Sequence, residues 1–349
     1  MKSVFQGKRV LVTGHTGFKG VWLCQMLEQL GANVTGVALE PEGEPNHFSQ
    51  IAWSHLKDIR LDIRDGKELK KIALDAKPEI VFHLAAQSLV RPSYEDPVLT
   101  YETNVLGTLH LLEAVRAQKS ISACLVITSD KCYENQEIKR GYKETDSMGG
   151  YDPYSSSKGC TELLVSSYRR SYFSDASTLL ASVRAGNVIG GGDWSKDRLL
   201  PDLLVNAFQG KTVMIRNPES VRPWQHVLEA LYGYLMLARG LSLGKKEWAT
   251  GWNFGPEQED CVSVRTICES VLKLCSELKF EMAAKKDGPH EAGLLYLDTT
   301  KAKTELEWKP HWPLSIGLEK TIQWYKAFYE QGSILTQNQI EDYLKGVMR

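Results

Sequence analysis

Tyr154 and Lys158 are a pair of side chains that could carry out proton transfer. They stand four residues apart, so a helix would place both on one face. A lysine ammonium about 4 Å from a phenol contributes about 4 kcal/mol at an effective dielectric constant of about 20, which would lower the tyrosine pKa from about 10 to about 7. Such a tyrosinate can remove the proton of an alcohol while the alcohol carbon loses a hydride. The alternative is an exposed helical pair without function, because this spacing often occurs by chance.

A second group of reactive side chains ends the apolar run that begins at residue 123. These are Thr128, Ser129, Asp130 and Lys131. Ligands of open α/β sheets bind at the carboxyl ends of the strands, so we expect these side chains to face a substrate. Thr128 or Ser129 could bond a substrate oxygen, while Asp130 and Lys131 would supply an acid and a potential base. The alternative is an ordinary surface ion pair.

Gly14, Gly17 and Gly20 lie between a β-rich run and a helical pattern, in the spacing G-x-x-G-x-x-G. Glycine allows a tight turn and a close approach of backbone N–H groups to a pyrophosphate, and the following helix adds its positive end. The triplet alone is a weak signal, but its position predicts dinucleotide binding. Glu40 lies twenty residues after Gly20, where it would either hold the ribose or be a solvated loop residue. No cluster of arginines follows the second strand, which favours NAD over NADP.

Elements that would position these residues alternate through the first half of the chain. Helical patterns at 17–30, 65–76, 99–118 and 153–173 separate apolar runs at 9–13, 33–39, 59–63, 79–84, 123–128 and 179–184. This alternation predicts a Rossmann-type, doubly wound parallel sheet. We expect a cofactor domain at 1–185, to which parts of 220–260 return. The remainder, 186–349, would mainly form a smaller mixed α/β substrate lobe, with helices at 201–209, 227–241, 262–278, 300–306 and 314–329.

Composition excludes several classes of protein. The 349 residues carry a net charge of −1, which argues against a general nucleic-acid-binding protein. The sequence contains no long apolar run and no signal-peptide core, so we expect a cytoplasmic protein without a membrane segment. The seven cysteines form no C-x-x-C pair. Cys261, Cys268 and Cys275 recur every seven residues, and we interpret them as packing residues on one helix face rather than as metal ligands.

Several motifs together resemble the extended short-chain dehydrogenase/reductase family, which includes nucleotide-sugar epimerases and 4,6-dehydratases. They are T-G-H-T-G-F-K-G at 13–20, L-A-A-Q at 84–87, Asn104 and Y-S-S-S-K at 154–158. Within that family, the segments 128–131, 149–154, 184–194 and 217–227 are similar to those of the CDP-glucose 4,6-dehydratases. The resemblance covers residues 5–328.

The resemblance implies roles for individual residues. Catalysis would fall to Thr128, Asp130, Lys131, Tyr154 and Lys158. NAD would be held by Tyr154 and Lys158 together with Gly14, Thr16, Gly17, Phe18, Lys19, Gly20, Glu40, Asp62, Ile63, Leu84, Ala85, Ala86, Gln87 and Asn104. The substrate, CDP-D-glucose, would contact Ser88, Arg91, Ser129, Asn187, Arg216 and Arg222. No metal is expected.

The resemblance also implies a reaction. Tyr154 would take the C4 hydroxyl proton as the C4 hydride passes to NAD, Lys131 would remove the C5 proton, and Asp130 would protonate the departing C6 hydroxyl. The hydride would then return to C6, so the cofactor is regenerated and the enzyme is formally a hydro-lyase. The product, CDP-4-dehydro-6-deoxy-D-glucose, would supply deoxysugars of a cell-surface polysaccharide such as the lipopolysaccharide O-antigen.

The chain departs from the pattern of this family at two places. Ala38 and Leu39 stand where relatives carry a ribose-binding acid, so NAD would be held less firmly. Lys131 replaces the glutamate that other dehydratases use as base, and it would have to be neutral to act as one.

Other functions remain open from the sequence. A nucleotide-sugar dehydratase with another base or a 4-epimerase would share Tyr154 and Lys158, although an epimerase has no need of Asp130 and Lys131. A non-catalytic NAD-sensing protein is the alternative from another class. The resemblance suggests a homodimer built on the helix of Tyr154 and its neighbour, or a homotetramer.

Overall fold

The structure, a computed structural model, describes residues 1–283 and 293–348. Its strands, in chain order, are β1 (Arg9–Thr13), β2 (Asn33–Ala38), β3 (Lys57–Arg60), β4 (Ile80–His83), β5 (Ala123–Ile127), β6 (Leu179–Ala185), β7 (Val188–Ile189), β8 (Thr212–Ile215), β9 (Val221–Pro223), β10 (Gln225–His226), β11 (Gly251–Phe254), β12 (Cys261–Ser263) and β13 (Lys279–Met282). Seven of them form a parallel sheet in the order β11-β6-β5-β4-β1-β2-β3. The other six pair as β7 with β10, β8 with β13, and β9 with β12.

The helices are α1 (Lys2–Phe5), α2 (Phe18–Gln29), α3 (His47–Gln50), α4 (Gly66–Ala76), α5 (Val90–Glu95), α6 (Pro97–Tyr101), α7 (Gly107–Arg116), α8 (Pro153–Ser171), α9 (Leu199–Phe208), α10 (Val227–Ser242), α11 (Val264–Leu274), α12 (Thr300–Glu305), α13 (Leu314–Gln331) and α14 (Thr336–Val347). A π-helical turn spans Glu102–Leu106, and 3₁₀ turns span Asp130–Cys132, Lys246–Trp248 and Gln258–Asp260. No helix within the described ranges is long and apolar enough to cross a membrane.

Helices cover both faces of the large sheet because its central strands are apolar on both sides. Successive side chains of a strand point to opposite faces. Val10 and Val12 pack in the cluster that contains α2, α10 and α13, whereas Leu11 packs in the cluster that contains α4, α7 and α8. The predicted Rossmann-type, doubly wound parallel sheet is therefore confirmed.

Two predicted elements differ from the structure. The third strand forms at Lys57–Arg60 instead of 59–63, because this edge strand is polar and half-exposed and lacks the apolar run used to find strands. The single helix predicted over 99–118 is instead α6, the π-helical turn and α7. In that turn the carbonyl oxygen of Asn104 accepts the hydroxyl protons of Thr108 (2.7 Å) and Thr161 (3.0 Å), so side chains interrupt the regular helical pattern.

The prediction that three cysteines lie on one face of a helix is wrong. Cys261 lies in β12, Cys268 in α11, and Cys275 directly after that helix, so the three do not share one helix face. This helix spans Val264–Leu274 and is shorter than the predicted 262–278. Ser263 caps its start, and Cys275 has extended backbone at its end. Cys268 and Cys275 are buried, as packing residues would be.

The chain after β7 is held against α2 and α13 by close packing at Gly191. The indole of Trp22 on α2 donates to the carbonyl oxygen of Gly191 at 3.0 Å. A Cβ atom on Gly191 would lie 1.9 Å from Trp324 on α13, so only glycine fits there. Tyr325 on the same helix donates to the carbonyl oxygen of Asp193. These contacts hold the segment that leads to α9 beside α2.

Candidate active site

The loop between β1 and α2 has a shape that requires glycine at two positions. Gly14 has a φ of 76°, and a Cβ atom there would lie 2.6 Å from the backbone nitrogen of Ala85. A Cβ atom on Gly20 would lie 2.1 Å from the carbonyl oxygen of Gly14. α2 begins directly after Gly17, which cannot cap the first N–H groups with a side chain. Those N–H groups and the helix dipole attract an anion, so the loop fits the pyrophosphate of a dinucleotide.

The chain that leaves β4 closes the other side of this loop. The backbone N–H of Ala85 donates to the hydroxyl of Thr13 at 3.3 Å, and that of Gln87 donates to the side-chain oxygen of Asn104 at 2.8 Å. The amide nitrogen of Asn104 donates to the hydroxyl of Ser157 on α8 at 2.8 Å. The structure thus brings the expected cofactor residues at 84–87 and Asn104 together, between β1 and the helix that carries Tyr154.

The two acids expected near the adenosine are paired with arginines. Glu40 is 76% exposed and its carboxylate lies 3.3 Å from Arg60. The carboxylate of Asp62 lies 2.7 Å from Arg64, whose hydrogen bonds hold the pKa of Asp62 below its usual value. Ile63, next to it, is buried. Glu40 is therefore placed as a surface ion-pair partner, and Asp62 as part of the turn that leads to α4.

Tyr154 and Lys158 share the buried face of the first turns of α8. Asp152 caps this helix, and the backbone N–H of Tyr154 donates to the hydroxyl of Ser93 on α5 at 3.1 Å. The ammonium of Lys158 lies 6.0 Å from the centre of the phenol ring. Burial raises the pKa of Tyr154 to about 12, opposed by a hydrogen bond from Ser129, and burial lowers the pKa of Lys158 to about 8. The predicted fall of the tyrosine pKa is thus wrong for the protein alone, because burial outweighs the neighbouring charges.

Asp130 is a buried carboxyl group at the end of β5. One of its oxygens accepts the hydroxyl proton of Ser129 at 3.0 Å, and the other is buried without a partner among the described residues. Burial raises the pKa of Asp130, although the positive charges of Lys131, Arg222 and Lys19 oppose this. Ser129 is thus hydrogen-bonded to Asp130 and lies close enough to Tyr154 to lower the pKa of its phenol. A carboxyl group of raised pKa can keep its proton and act as a general acid.

Thr128 has a different environment from Ser129, although the two are adjacent. Its hydroxyl donates to Glu162 on α8 at 2.5 Å, which turns it away from Tyr154. Glu162 also accepts from Ser182 at 2.7 Å and from two nitrogens of Arg184 at 2.8 and 2.9 Å. All of these side chains are buried. Thr128 therefore connects β5 to the ion pair, and Ser129 is the hydroxyl residue that influences Tyr154.

Lys19 lies in the first turn of α2, and its charge interacts with those of Asp130 and Lys158. Burial lowers the pKa of Lys19 to about 8, helped by the positive charges of Arg198 and Lys158 and opposed by Asp130. Arg198 also favours the ionised form of Tyr154. Positive charge thus reaches the reactive pair from the glycine loop and from the residue before α9.

The residues expected to contact the substrate lie on separate segments. Arg91 is on α5, Arg216 follows β8, and Arg222 is on β9, where it lowers the pKa of Asp130. Asn187 stands half-buried between β6 and β7, and its carbonyl oxygen accepts from the backbone N–H of Gln225 at 3.2 Å. Ser88 is exposed in the loop between β4 and α5.

Glu162 and Ser93 are functional candidates that the sequence did not reveal. Glu162 follows Lys158 by one helical turn, so its spacing places it on the same face. That signal was available but ambiguous, because a glutamate on a helix is most often exposed. Ser93 gave no signal, since its contact with Tyr154 joins segments 61 residues apart.

Replacing Glu162 by glutamine should destabilise the protein by about 3–5 kcal/mol, because Arg184 would remain buried without its counter-charge. Arg184 and the hydrogen bonds of Thr128 and Ser182 outweigh the effect of burial and hold the pKa of Glu162 below its usual value. The stability that this provides is present above the unfolded-state pKa of about 4.3 and is lost as the pH falls through the folded-state value. Urea unfolding at several pH values would measure the difference.

The matched control is Glu113→Gln, which removes an exposed ion pair with Arg116 on α7 and keeps a side-chain oxygen to accept the hydroxyl proton of Tyr168. It should cost less than about 1 kcal/mol. A Glu162→Gln variant no less stable than this control at neutral pH would contradict the importance of the buried pair.

Comparisons with known proteins agree with this geometry. The sequence profile of the family described as GDP-mannose 4,6 dehydratase matches residues 11–321. The chain is 48% identical to a CDP-glucose 4,6-dehydratase of Salmonella typhimurium, covering 100% of this chain and 99% of that protein.

Solved structures show the same fold. An epimerase from Methanothermobacter thermautotrophicus matches with a TM-score of 0.84 and 22% identity, covering 94% of this chain and 95% of the other. A dTDP-glucose 4,6-dehydratase from Streptomyces venezuelae, solved with NAD and TYD bound, matches with a TM-score of 0.78 and 23% identity, covering 91% and 97%. On the sequence matches, the chain belongs to the GDP-mannose 4,6-dehydratase family of nucleotide-sugar dehydratases, within the extended short-chain dehydrogenase/reductases.

Proposed function

We propose that this protein dehydrates CDP-D-glucose to CDP-4-dehydro-6-deoxy-D-glucose with a regenerated NAD. The observation that carries the proposal is the buried Asp130, which accepts the hydroxyl proton of Ser129, lies near enough to Tyr154 to influence its pKa, and is followed in the chain by Lys131. A dehydratase needs an acid and a base beside its tyrosine, and this arrangement supplies both. The 48% identity to a CDP-glucose 4,6-dehydratase supports the choice of nucleotide.

The glycine loop would hold the pyrophosphate of NAD through backbone groups at Gly14, Thr16, Gly17, Phe18, Lys19 and Gly20. Asp62 and Ile63 would border the adenine, and residues 84–87 with Asn104 would line the side toward α8. Glu40 would hold the ribose from the segment after β2, where its carboxylate is exposed and lies 3.3 Å from Arg60. When bound, NAD would supply a reversible acceptor for the hydride of C4.

Tyr154 would take the proton of the C4 hydroxyl. Its burial favours the neutral phenol, so the hydrogen bond from Ser129 and the charge of Arg198 would be needed to favour the ionised form. Lys158 is protonated below about pH 8, since burial lowers its pKa to that value, while Glu162 favours the charged form. Lys158 would thus add positive charge beside the phenolate during the first step.

Lys131 and Asp130 would then eliminate water. Once C4 is a ketone, the C5 proton is acidic, and neutral Lys131 would accept it. The electron pair of the C5–H bond forms a C5–C6 double bond, and the C6 hydroxyl leaves with the proton of Asp130 as water. Burial raises the pKa of Asp130, which favours the protonated carboxyl needed here. The protonated carboxyl of Asp130 is therefore suited to giving its proton to the departing hydroxyl.

The nucleotide diphosphate would lie against Arg91, Arg216 and Arg222, with Asn187 and Ser88 nearby. We propose that residues 1–185, with the part of 220–260 that contributes β11, hold NAD. Residues 186–349 would mainly hold the nucleotide sugar; of these, 284–292 and 349 lie outside the described residues. We further propose a cytoplasmic enzyme whose product supplies deoxysugars of the lipopolysaccharide O-antigen.

We also propose that the protein is a homodimer through α6, the π-helical turn and α8, or a homotetramer that contains this dimer. Large apolar side chains are exposed on these adjacent elements: Val98 is 65% exposed, Leu106 46% and Leu163 62%. A second copy of the chain would cover them.

Incubation with NAD and CDP-, dTDP-, GDP- or UDP-glucose should yield a 4-keto-6-deoxy sugar from CDP-glucose, without accumulation of NADH. Mass spectrometry would show the loss of one water from the nucleotide sugar, and absorbance would follow NADH. Steady NADH formation, or a product inverted at C4 without water loss, would contradict a dehydratase. Faster dehydration of dTDP-, GDP- or UDP-glucose would contradict the choice of CDP-glucose as substrate but not the dehydratase activity.

Replacing Lys131 by methionine should abolish dehydration while C4 oxidation survives, because methionine keeps the length of the side chain but accepts no proton. A single-turnover experiment would show reduction of NAD without formation of the 6-deoxy product. The matched control is Lys196→Met, which removes an exposed lysine of the segment before α9. Full turnover by the Lys131 variant would assign the C5 base elsewhere.

Replacing Leu163 by arginine should shift the protein from dimer to monomer, because the charge would be buried at the interface. Leu243→Arg is the control, since Leu243 is also 62% exposed but follows α10. Sedimentation equilibrium measures both. A dimer that tolerates Leu163→Arg would contradict this interface.

A further inference from the structure

Arg91 and Arg216 share one internal counter-anion, Asp197. A guanidinium nitrogen of Arg216 lies 2.8 Å from one carboxylate oxygen of Asp197, and a nitrogen of Arg91 lies 3.8 Å from the same oxygen. The three residues come from α5, from the segment before α9 and from the segment after β8. The ion pairs therefore join parts of the chain that are remote in sequence.

This cluster borders the reactive residues. Arg91 lies on α5, the helix whose Ser93 accepts the backbone N–H of Tyr154 at 3.1 Å. Arg198 follows Asp197 directly, and its charge acts on both Tyr154 and Lys19. A ligand that reaches from Tyr154 toward Arg216 would therefore pass the carboxylate of Asp197.

The arginines of the cluster are incompletely satisfied by Asp197. One carboxylate oxygen serves both guanidinium groups, and the Nε of Arg91 is buried without a hydrogen-bond partner in the described part of the chain. Guanidinium groups form their strongest contacts with carboxylates or phosphates through two parallel hydrogen bonds. A diphosphate offers more oxygen atoms and more negative charge than Asp197 does.

We propose that Asp197 is an internal competitor of the substrate diphosphate, pairing with Arg91 and Arg216 in the free protein and giving way when the nucleotide sugar binds. This inference rests on the proposed function, which places a diphosphate at these arginines. Asp197 thereby weakens the binding of every anion at this position. The cost of displacing Asp197 is the same for every ligand whose diphosphate reaches these arginines, so it lowers the affinity for CDP, for pyrophosphate and for the nucleotide sugar alike. Asp197 is thus a residue that limits the affinity of the diphosphate-binding arginines.

Asp197→Asn tests this directly. Asparagine has the same shape and tolerates the left-handed backbone of Asp197, whose φ is 61°. The variant should bind CDP and inorganic pyrophosphate about fivefold more tightly than the wild type, because the competing charge is gone. Isothermal titration calorimetry measures both dissociation constants without turnover, and thermal unfolding checks that the variant is folded.

Glu219→Gln is the matched control, because it removes an ion pair of Glu219 with Arg265, at 2.7 Å, that is exposed and outside the cluster. Its affinity for CDP should equal that of the wild type. In an Arg216→Gln background, Asp197→Asn should raise the affinity for CDP by a smaller factor, because one of the two guanidinium groups that pair with Asp197 is missing.

Unchanged or weaker CDP and pyrophosphate binding by folded Asp197→Asn would overturn the proposal, as would an equal effect with and without Arg216. So would a wild-type protein that binds neither probe. A wild-type protein that binds CDP but does not dehydrate CDP-glucose would instead contradict the proposed function alone.

Discussion

The carboxylate of Glu162 is buried where α8 meets β5 and β6, and the position of the reactive groups depends on it. It accepts hydrogen bonds from Thr128 at the end of β5, from Ser182 on β6 and from two nitrogens of Arg184. Arg184 continues the network to the hydroxyl of Tyr133 at 2.6 Å. Because Glu162 stands two helical turns after Tyr154, fixing it against β5 sets the position of the phenol relative to Ser129 and Asp130.

Burial then decides the charge state of each reactive group. It raises the pKa of Tyr154 and Asp130, and it lowers the pKa of Lys158 and Lys19. Burial thereby favours the neutral form of each of these groups, which suits Asp130 as an acid, whereas Tyr154 needs the neighbouring positive charge to ionise. Glu162 is the exception. Burial alone would raise its pKa, but the charge of Arg184 and the hydrogen bonds from Arg184, Thr128 and Ser182 lower it and keep the carboxylate ionised. A fixed anion thus lies beside groups that must change their charge.

The sequence was sufficient for the parallel sheet, the glycine loop and the Tyr154–Lys158 pair, because each depends on local periodicity or spacing. It was insufficient where contacts join distant segments. Two consecutive hydroxyl residues follow β5, and only the position of Glu162 shows that Thr128 faces the ion pair while Ser129 faces Tyr154. The contact of Asp197 with Arg91 and Arg216 likewise depends on how three segments pack. Polar β3 lacked the apolar run by which the other strands were found.

We propose that the oxidation of C4 by NAD, the loss of water from C5 and C6, and the return of the hydride to C6 all take place within a single bound sugar. The most direct measurement uses CDP-glucose labelled with deuterium at C4, followed by NMR and mass analysis of the product. The account predicts that the deuterium appears at C6 of the 4-keto-6-deoxy product, within the molecule that lost it. Deuterium that remains at C4, or that is lost to an external acceptor while water is retained, would contradict it.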